Sequence, residues 1–451
     1  MRVLLVATTT GYQTRAFGEA AERLGVELVF ATDRCKAIDD PWQDQAIPIR
    51  FHDEDAAVRS IEEAAASRPI SGVLAVGDRP TVIAARVARA LGLPGHSPEA
   101  AAIARNKERT RERLRDAGLP TPWFVAGAIN QASGLGLQAS GGGPQASGLG
   151  PQASDLGPQI SDLGPQAYPC VIKPVALSGS RGVMRANDPG EFAARLKRLR
   201  ALLRTPEIRA ERNEAHERML IEGFIPGREY ALEGLMHYGR LHVLTIFDKP
   251  DPLDGPFFEE TIYLAPSAAE VQLAIVEAVA RAAEAIGLTH GPIHAECRVN
   301  DAGVFVLEVA ARPIGGLCAR AVRLQPSRPL EEALLRHALG ESPEGWRREE
   351  AASGVMMIPI PRRGTLRRVE GADQARKVSH VEDVRITAKP DQLLVPLPEG
   401  ASYLGFIFAR ADQPSDVERA LREAHARLHF TIDAEFPVIA PSGMQYNSRH
   451  G

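Results

Sequence analysis

The sequence is poor in cysteine, and none of its 4 cysteines belongs to a CxxC pair. Each one has an apolar residue within two positions, which favours buried free thiols and fits a reducing, cytoplasmic environment. The 4 positions are Cys35, Cys170, Cys297 and Cys318.

Long runs of apolar or basic residues are also missing. No apolar run approaches the roughly 18 residues of a membrane-spanning helix, and residues 1–15 resemble a strand and a turn rather than a secretory signal. A net charge of −4 without a basic run leaves no electrostatic footprint for nucleic acid. The composition, with 44% hydrophobic and 24% charged residues, is typical of a soluble globular chain. The length of 451 residues suits two or three domains or one multi-lobed unit.

The first hundred residues alternate between strand and helix patterns. Short apolar runs at 3–7, 27–32 and 72–78 predict strands, and residues 14–24 and 81–93 predict helices. This alternation predicts a parallel sheet covered by helices.

Residues 131–165 are five tandem copies of a seven-residue unit, beginning QASGLGL and ending QISDLGP. Glycine and proline recur in the units and would interrupt any helix, so the period of seven does not indicate a coiled coil. Apolar surface is too scarce to offset the entropy of ordering, and we therefore predict a disordered insert.

Ordered patterns resume after the insert. A helix over 190–204 is predicted to begin at an Asp188 cap, and a second near 268–286 is predicted to follow Ser267 and end at Gly287. Beyond residue 350, proline-rich strand patterns and a helix capped by Ser415 predict a small α+β module.

The segment HAECRVNDAGVFVLEVAARP (294–313) predicts a β-hairpin with one glutamate at the centre of each strand. A three-residue turn ending at Gly303 would set Glu296 opposite Glu308, with β-carbons about 4.5–5.5 Å apart. Facing carboxylates repel unless a proton or cation lies between them, and oxygen ligands suit Mg²⁺ or Mn²⁺. The alternative is a solvated face with the glutamates spread apart, or with one paired to Arg298.

Two further stretches carry candidate chemistry. In YPCVIKPVALSGSRGV (168–183), Lys173 ends an apolar strand and a small-residue loop follows, a combination suited to phosphate. In MLIEGFIPGREYALEG (219–234), a strand could offer its backbone to a flat base and a carboxylate to ribose hydroxyls. Taken alone, the first stretch is a weak signal because many surface hairpins look similar, and a plain hairpin is the better explanation of the second.

Taken together and in this order, these stretches resemble the ATP-grasp superfamily of ATP-dependent carboxylate–amine ligases. The helix and turn at 104–124, ARNKERTRERLRDAGLPTPWF, are similar to a lysine-bearing helix of that family. The resemblance implies phosphate contacts by Lys107, Lys173 and the loop residues Ser178, Gly179, Ser180 and Gly182; adenine and ribose contacts by Glu222, Gly223, Ile225 and Glu229; metal ligands Glu296 and Glu308; and catalytic roles for Lys173 and Arg312.

One departure narrows the resemblance. Many relatives have an asparagine as third metal ligand where this chain has Ala310, which cannot ligate. The Glu-x-Ala-Ala-Arg pattern is similar to the L-amino-acid ligase branch, which makes dipeptides. That branch implies substrate contacts by Glu260 and Arg312, and a roomy acceptor pocket at Gly315 and Gly316.

The fold expected from the pattern and the resemblance is α/β, with an N-terminal Rossmann-like parallel sheet, an α+β two-lobed ATP-grasp core and the small C-terminal module. The expected segments are an N-terminal domain (1–103), a helix and linker (104–130), the insert (131–167), a small lobe (168–230), a large lobe with the metal site (231–348), the C-terminal module (349–440) and a flexible tail (441–451).

The expected activity is amide-bond formation through an acyl phosphate, with ATP and Mg²⁺ or Mn²⁺ as cofactors and release of ADP and phosphate. The expected partners are small-molecule carboxylates and amines, one of them an amino acid, with no nucleic acid or membrane; a homodimer is the candidate assembly. Two alternatives stay open: a carboxylase-type enzyme that uses bicarbonate, and a module that binds nucleotide without turnover.

Overall fold

The computed structural model describes residues 1–8, 12–33, 46–129 and 167–434. Cys35, the predicted tail at 441–451 and the predicted insert, apart from Ala167, lie outside these ranges. Within them, none of the helices combines the length and apolar character needed to cross a membrane.

The N-terminal part confirms the predicted parallel sheet. Its strands run in the order β3-β2-β1-β4, all parallel, and their apolar residues pack against the helices in two buried clusters. The elements are β1 Arg2–Ala7, α1 Tyr12–Leu24, β2 Glu27–Asp33, β3 Ile47–Ile49, α2 Glu54–Ser67, β4 Gly72–Val76, α3 Thr81–Ala90, α4 Pro98–Ala104 and α5 Lys107–Asp116.

A second, antiparallel sheet follows in the order β5-β8-β6-β7. The long helix beside it begins as predicted: Asp188 accepts a 2.8 Å hydrogen bond from the Glu191 amide and Pro189 takes the first helical position. The elements are β5 Phe124–Ala128, β6 Cys170–Pro174, β7 Met184–Ala186, α6 Pro189–Leu203, α7 Pro206–Ala210 and β8 Arg218–Gly223.

The largest sheet has eight strands in the order β13-β12-β9-β10-β11-β16-β20-β18, so strands from beyond residue 350 continue the sheet that holds the glutamate hairpin. Its first elements are β9 Arg228–His237, β10 Arg240–Lys249, β11 Ile262–Ala265, α8 Ala269–Ile286, β12 Gly291–Asn300, β13 Gly303–Ala310, β14 Arg323–Leu324, β15 Arg328–Pro329 and α9 Leu330–Ala338. The remaining elements are β16 Ala352–Ile358, β17 Gly364–Glu370, α10 Ala372–Arg376, β18 Val381–Ile386, β19 Leu393–Leu394, β20 Gly405–Ala411, α11 Pro414–Ala426 and β21 His429–Asp433.

Two predicted helix caps are wrong. The residue before α8 is Ala268, which makes no side-chain cap, and Ser267 lies one position too early. Ser415 lies inside the first turn of α11, after Gln413 and Pro414. The predicted end of α8 is correct, because Gly287 takes the left-handed conformation there with φ of 88°.

Three of the four cysteines lie in described segments, and all three are buried free thiols, as predicted. Burial raises the pKa of the Cys170 thiol and of the Cys297 thiol to about 12, so neither is reactive as a thiolate.

Candidate active site

A cavity of about 310 Å³ lies where the strand ends of all three regions meet, a volume typical of small-molecule sites. It is lined by every residue that the sequence assigned to a site except Gly182. The lining also includes residues that sequence reasoning did not select, among them Asp78, Tyr263, His294 and Tyr403.

The glutamate hairpin has the predicted pairing but a different turn. Asn300 pairs with Gly303, so the turn has two residues, and the predicted three-residue turn is wrong. A two-residue turn alone would set Glu296 opposite Leu307. A β-bulge at Leu307 shifts the register by one, and Glu296 therefore lies directly opposite Glu308.

Each of these glutamates is paired with a lysine. Lys249 Nζ lies 3.0 Å from a Glu296 oxygen, and Lys107 Nζ lies 3.1 Å from a Glu308 oxygen. Burial raises the pKa of Glu296, but Lys249 and His294 outweigh burial and hold that pKa well below its ordinary value. The alternative pairing of a hairpin glutamate with Arg298 is wrong, because that guanidinium donates to Glu229 at 3.0 Å.

Lys249 is the centre of a buried acidic cluster that sequence reasoning missed. Its ammonium donates to Glu229 at 2.8 Å, to Glu260 at 2.7 Å and to Glu296 at 3.0 Å. Lys249 also lies opposite Glu229 in the β9–β10 pairing. A lysine at the end of an apolar strand, in the sequence FDKP, was the available signal.

Lys249 and Arg298 supply two positive charges to the three carboxylates of this cluster, so negative charge remains in excess. Burial and the neighbouring Glu296 raise the pKa of Glu260 to about 7. The Tyr263 hydroxyl donates to Glu260 at 2.8 Å. This end of the cavity is therefore suited to a cationic group, either a metal ion or a substrate ammonium.

A second buried ion cluster joins the antiparallel sheet to α5. Glu222 pairs with Lys173 and accepts from Arg111 Nε at 2.8 Å. Burial raises the pKa of Glu222, yet the two cations overcome that effect and lower it to about 2. Arg111 was not selected from the sequence; it is 1% exposed and also donates to the Val306 carbonyl at 2.9 Å.

The predicted phosphate loop lies next to Lys107, whose ammonium donates to the Leu177 carbonyl at 2.8 Å. Positive φ angles at Gly179 and Gly182, of 62° and 76°, bend the loop. The Gly182 amide donates to the Pro398 carbonyl at 2.8 Å, which holds the loop against the segment before β20.

Arg312 is held by a carboxylate from the N-terminal parallel sheet. Its Nε and one terminal nitrogen lie 2.9 and 3.2 Å from the two Asp78 oxygens. Burial raises the pKa of Asp78, but Arg312 more than offsets this and the pKa is lowered overall. Asp78 follows the carboxyl end of β4, the edge where parallel sheets usually place functional groups, and that position was the missed signal.

The two glycines after Arg312 border an open part of the cavity. A β-carbon built on Gly315 meets no atom within 4 Å, whereas one on Gly316 would lie 3.3 Å from Phe406. The open space on this side is therefore next to Gly315.

The donor set fits a hard divalent cation, because it consists of carboxylate oxygens from Glu296 and Glu308 with further oxygens close by. One oxygen each from Glu229, Glu260 and Glu296 lies within 4.8 Å of the others. Ala310 offers no ligand atom and pairs across the hairpin with His294. His294 itself contacts Glu233 at 2.5 Å.

Comparison with known proteins found matching family models and a similar solved structure. Family models match three segments: the ATP-grasp N-terminal domain at residues 18–95, the ATP-grasp domain at 166–321, and the L-amino acid ligase C-terminal domain 2 at 356–433. A solved L-amino acid ligase from Bacillus licheniformis is 28% identical, with a TM-score of 0.76 over 96% of this chain and 99% of that chain.

Two curated relatives match over shorter stretches. Carnosine synthase 1 of Gallus gallus is 34% identical over 276 residues, which are 59% of this chain and 27% of that protein. Dapdiamide A synthase of Enterobacter agglomerans is 24% identical over 273 residues, 57% of this chain and 61% of that protein. This chain therefore spans only part of either relative.

Proposed function

Since the chain belongs to the ATP-grasp superfamily of carboxylate–amine ligases, which form C–N bonds with ATP and Mg²⁺ or Mn²⁺, we propose that it joins the carboxylate of an amino acid to an amine. A carboxylate oxygen attacks the γ-phosphorus of ATP, and ADP leaves. The amine nitrogen then attacks the acyl carbon, and phosphate leaves with the bonding electrons. The observation that carries this proposal is the convergence of Lys107, Lys173, Arg312, Glu296 and Glu308 on one cavity.

The nucleotide would occupy the part of the cavity between the two sheets. Lys107 and Lys173 supply positive charge for its phosphates, and the loop with Ser178, Gly179 and Ser180 supplies amides, while Gly182 anchors that loop through its bond to Pro398. In the proposal, the strand end with Glu222, Gly223 and Ile225 contacts the base and Glu229 contacts the ribose. Lys107 is paired with Glu308 and Lys173 with Glu222. When phosphate binds, each ammonium would exchange a carboxylate partner for a phosphate partner and would stay paired.

Glu296 and Glu308 would hold the metal ion. When bound there, the ion neutralises phosphate charge, the usual contribution of Mg²⁺ to phosphoryl transfer. Its arrival would free Lys107 from Glu308, and that ammonium could then turn to the nucleotide. Arg312, oriented by Asp78, would stabilise negative charge on the acyl oxygen.

The amino-acid substrate would lie toward Glu260 and Gly315. Glu260 belongs to a cluster with excess negative charge, which suits the ammonium of a substrate. The open space beside Gly315 could take the substrate's side chain. The names of the relatives, L-amino acid ligase, carnosine synthase and dapdiamide synthase, support an amino acid as one substrate.

The test is incubation with ATP, Mg²⁺ and a mixed pool of amino acids, with products identified by mass spectrometry. We expect ADP, phosphate and a product that has lost one water relative to its two substrates. Formation of AMP and pyrophosphate would overturn the proposed chemistry. Glu308→Gln should lower turnover by about 100-fold or more, while Glu277→Gln on the exposed face of α8 should retain it.

A second candidate is nucleotide binding without turnover, which the missing ligand at Ala310 favours. ATP binding without phosphate release for any acceptor would support it. Phosphate release that requires bicarbonate and no amine would instead support the carboxylase-type alternative.

The homodimer and the cytoplasmic location are also proposals. Light scattering on the purified chain, with a mass twice the 48.7 kDa of one protomer, would support the dimer.

A further inference from the structure

A cluster of histidines lies at the end of the large sheet opposite the cavity. His237 ends β9, His290 directly precedes β12, and His337 lies in the last turn of α9. Glu229 at the cavity lies eight residues before His237 on the same strand. At about 3.3 Å per residue, the two sites are about 26 Å apart.

We propose that His237, His290 and His337 form a binding site for one divalent transition-metal ion of the Zn²⁺ or Co²⁺ type, separate from the ATP-dependent site. Imidazole nitrogens suit these ions, whereas Mg²⁺ prefers oxygen. The site is thus chemically distinct from the carboxylates of the cavity.

The spacing of the nitrogens fits such an ion. One ring nitrogen from each histidine lies within 4.8 Å of the other two. His237 Nδ1 and His337 Nε2 are 3.2 Å apart and share a hydrogen bond, whose proton a metal ion would replace. Two ligands of a tetrahedral zinc with bonds of 2.0–2.1 Å would be about 3.3 Å apart, so this pair already has the required separation.

His290 provides an independent observation. Its Nδ1 is buried and has no hydrogen-bond partner, which is costly for a polar atom. The nearby His96 differs, because its Nδ1 accepts from the Thr289 amide at 3.2 Å and its Nε2 contacts the Pro292 carbonyl at 3.2 Å. His96 is therefore satisfied within the fold, while His290 retains a free position.

Aromatic rings and the end of a helix surround the cluster. The rings packed around His290 are those of His237, Tyr238 and His337, with centroids 4.3–5.3 Å from its own. His337 also lies in the last turn of α9, where the partial negative charge of a helix end favours a cation.

The backbone holds two of the ligands in place. The Gly239 amide, in the turn between β9 and β10, donates to the Thr289 carbonyl at 2.7 Å, which ties the turn after His237 to the residue before His290. The His290 and His337 rings are stacked with centroids 4.3 Å apart. One of them must rotate about its side chain to point at a shared ion, and the half-buried His237 leaves a route from solvent.

The test is a titration of the untagged, metal-free chain with Co²⁺ in the absence of ATP and Mg²⁺. We expect one Co²⁺ per chain with the intense visible absorption of a tetrahedral site, displaced by Zn²⁺. Because even a group that only supports a metal ligand is worth 10–100-fold in affinity, His237→Gln should weaken binding by at least ~100-fold. His425→Gln, at a half-buried histidine of α11, is the matched control and should bind like the parent.

Three results would overturn the site: no stoichiometric Co²⁺ binding, unchanged binding by His237→Gln, or loss of binding in Glu308→Gln, which would locate the ion in the cavity. His337→Asn is a second variant whose fold is checked by circular dichroism, and the folded variant should also lose Co²⁺ binding. Ligase assays with Mg²⁺ and ATP test the proposed function separately, so either proposal can fail alone.

Discussion

Strands β9 and β12 carry a polar cluster at each end, and the two clusters differ in how their charge is treated. At the cavity end, the carboxylates of Glu229 and Glu296 converge on the Lys249 ammonium. At the other end, His237 and His290 lie beside His337 with no carboxylate or ammonium among the three ligand candidates. The carboxylates at the cavity end are ion-paired, whereas the imidazoles at the other end contact one another.

The difference follows from the cost of burying charge. An isolated buried ion is expensive, so several carboxylates in one place need a cation. An imidazole can give up its proton, and burial alone keeps it neutral at modest cost. We therefore expect the cavity end to depend strongly on its internal cation and the histidine end to tolerate substitution.

The largest effect is expected from Lys249→Met. Removal of the ammonium leaves Glu260 and Glu296 without this buried cation and Glu229 with Arg298 alone, and we expect the free energy of unfolding to fall by about 3–5 kcal/mol. Urea denaturation measures this free energy, and Lys377→Met, at an exposed lysine, is the control. The loss should grow as the pH rises from 5 to 8, since protonation relieves the glutamates; a loss below ~1 kcal/mol would contradict the assigned role.

The Glu222 ion cluster should make stability sensitive to acid. Its pKa of about 2 in the fold lies below the ordinary 4.5, so its contribution of ~3 kcal/mol is present above pH 4.5 and is lost as the pH falls toward 2. Urea unfolding between pH 6 and 3 should show a shallower slope for Glu222→Gln than for Glu277→Gln. Equal slopes would mean that other carboxylates carry the acid sensitivity.

A smaller effect is expected at Glu260, whose pKa is about 7. If its carboxylate binds the substrate ammonium, kcat/KM for the amino acid should rise with pH through about 7 as Glu260 ionises. Glu260→Gln should remove that inflection and raise KM by about 10-fold, the value of one charge-assisted hydrogen bond. The test compares the pH profile of kcat/KM for the parent and the variant. An inflection that persists in the variant would belong to another group.

The smallest effect is expected from His237→Gln in metal-free buffer. Because the two clusters are far apart and share no partner, ligase turnover should stay within about 2-fold and the free energy of unfolding within ~0.5 kcal/mol of the parent. Steady-state kinetics and urea denaturation measure both quantities. A large loss of turnover would show that the two ends of the strands are coupled.

Local patterns predicted much of the fold. The strand–helix alternation, the Asp188 cap of α6 and the Gly287 end of α8 depend on neighbouring residues, and all three are present in the structure. Caps at Ser267 and Ser415 failed because the two helices begin after Ala268 and Gln413, neither of which makes a side-chain cap, so a nearby serine did not determine where either helix starts.

The sequence predicted which charged residues belong to the cavity, but it did not predict which residues form ion pairs with them. Glu296, Glu222 and Arg312 were selected from the sequence, while their ion-pair partners Lys249, Arg111 and Asp78 were not. Their roles as site residues stay predictions until variants are measured.

The sequence by itself determined which strands form and which charged residues end them, because alternation, capping and turn chemistry act over a few positions. The tertiary structure decided the pairings: Arg312 with Asp78 across 234 residues, and Glu296 with Lys249 across 47. It also decided the bulge at Leu307 that brings Glu296 opposite Glu308. Such contacts are set by the packing of distant strands, and no local pattern encodes which buried cation will meet which carboxylate.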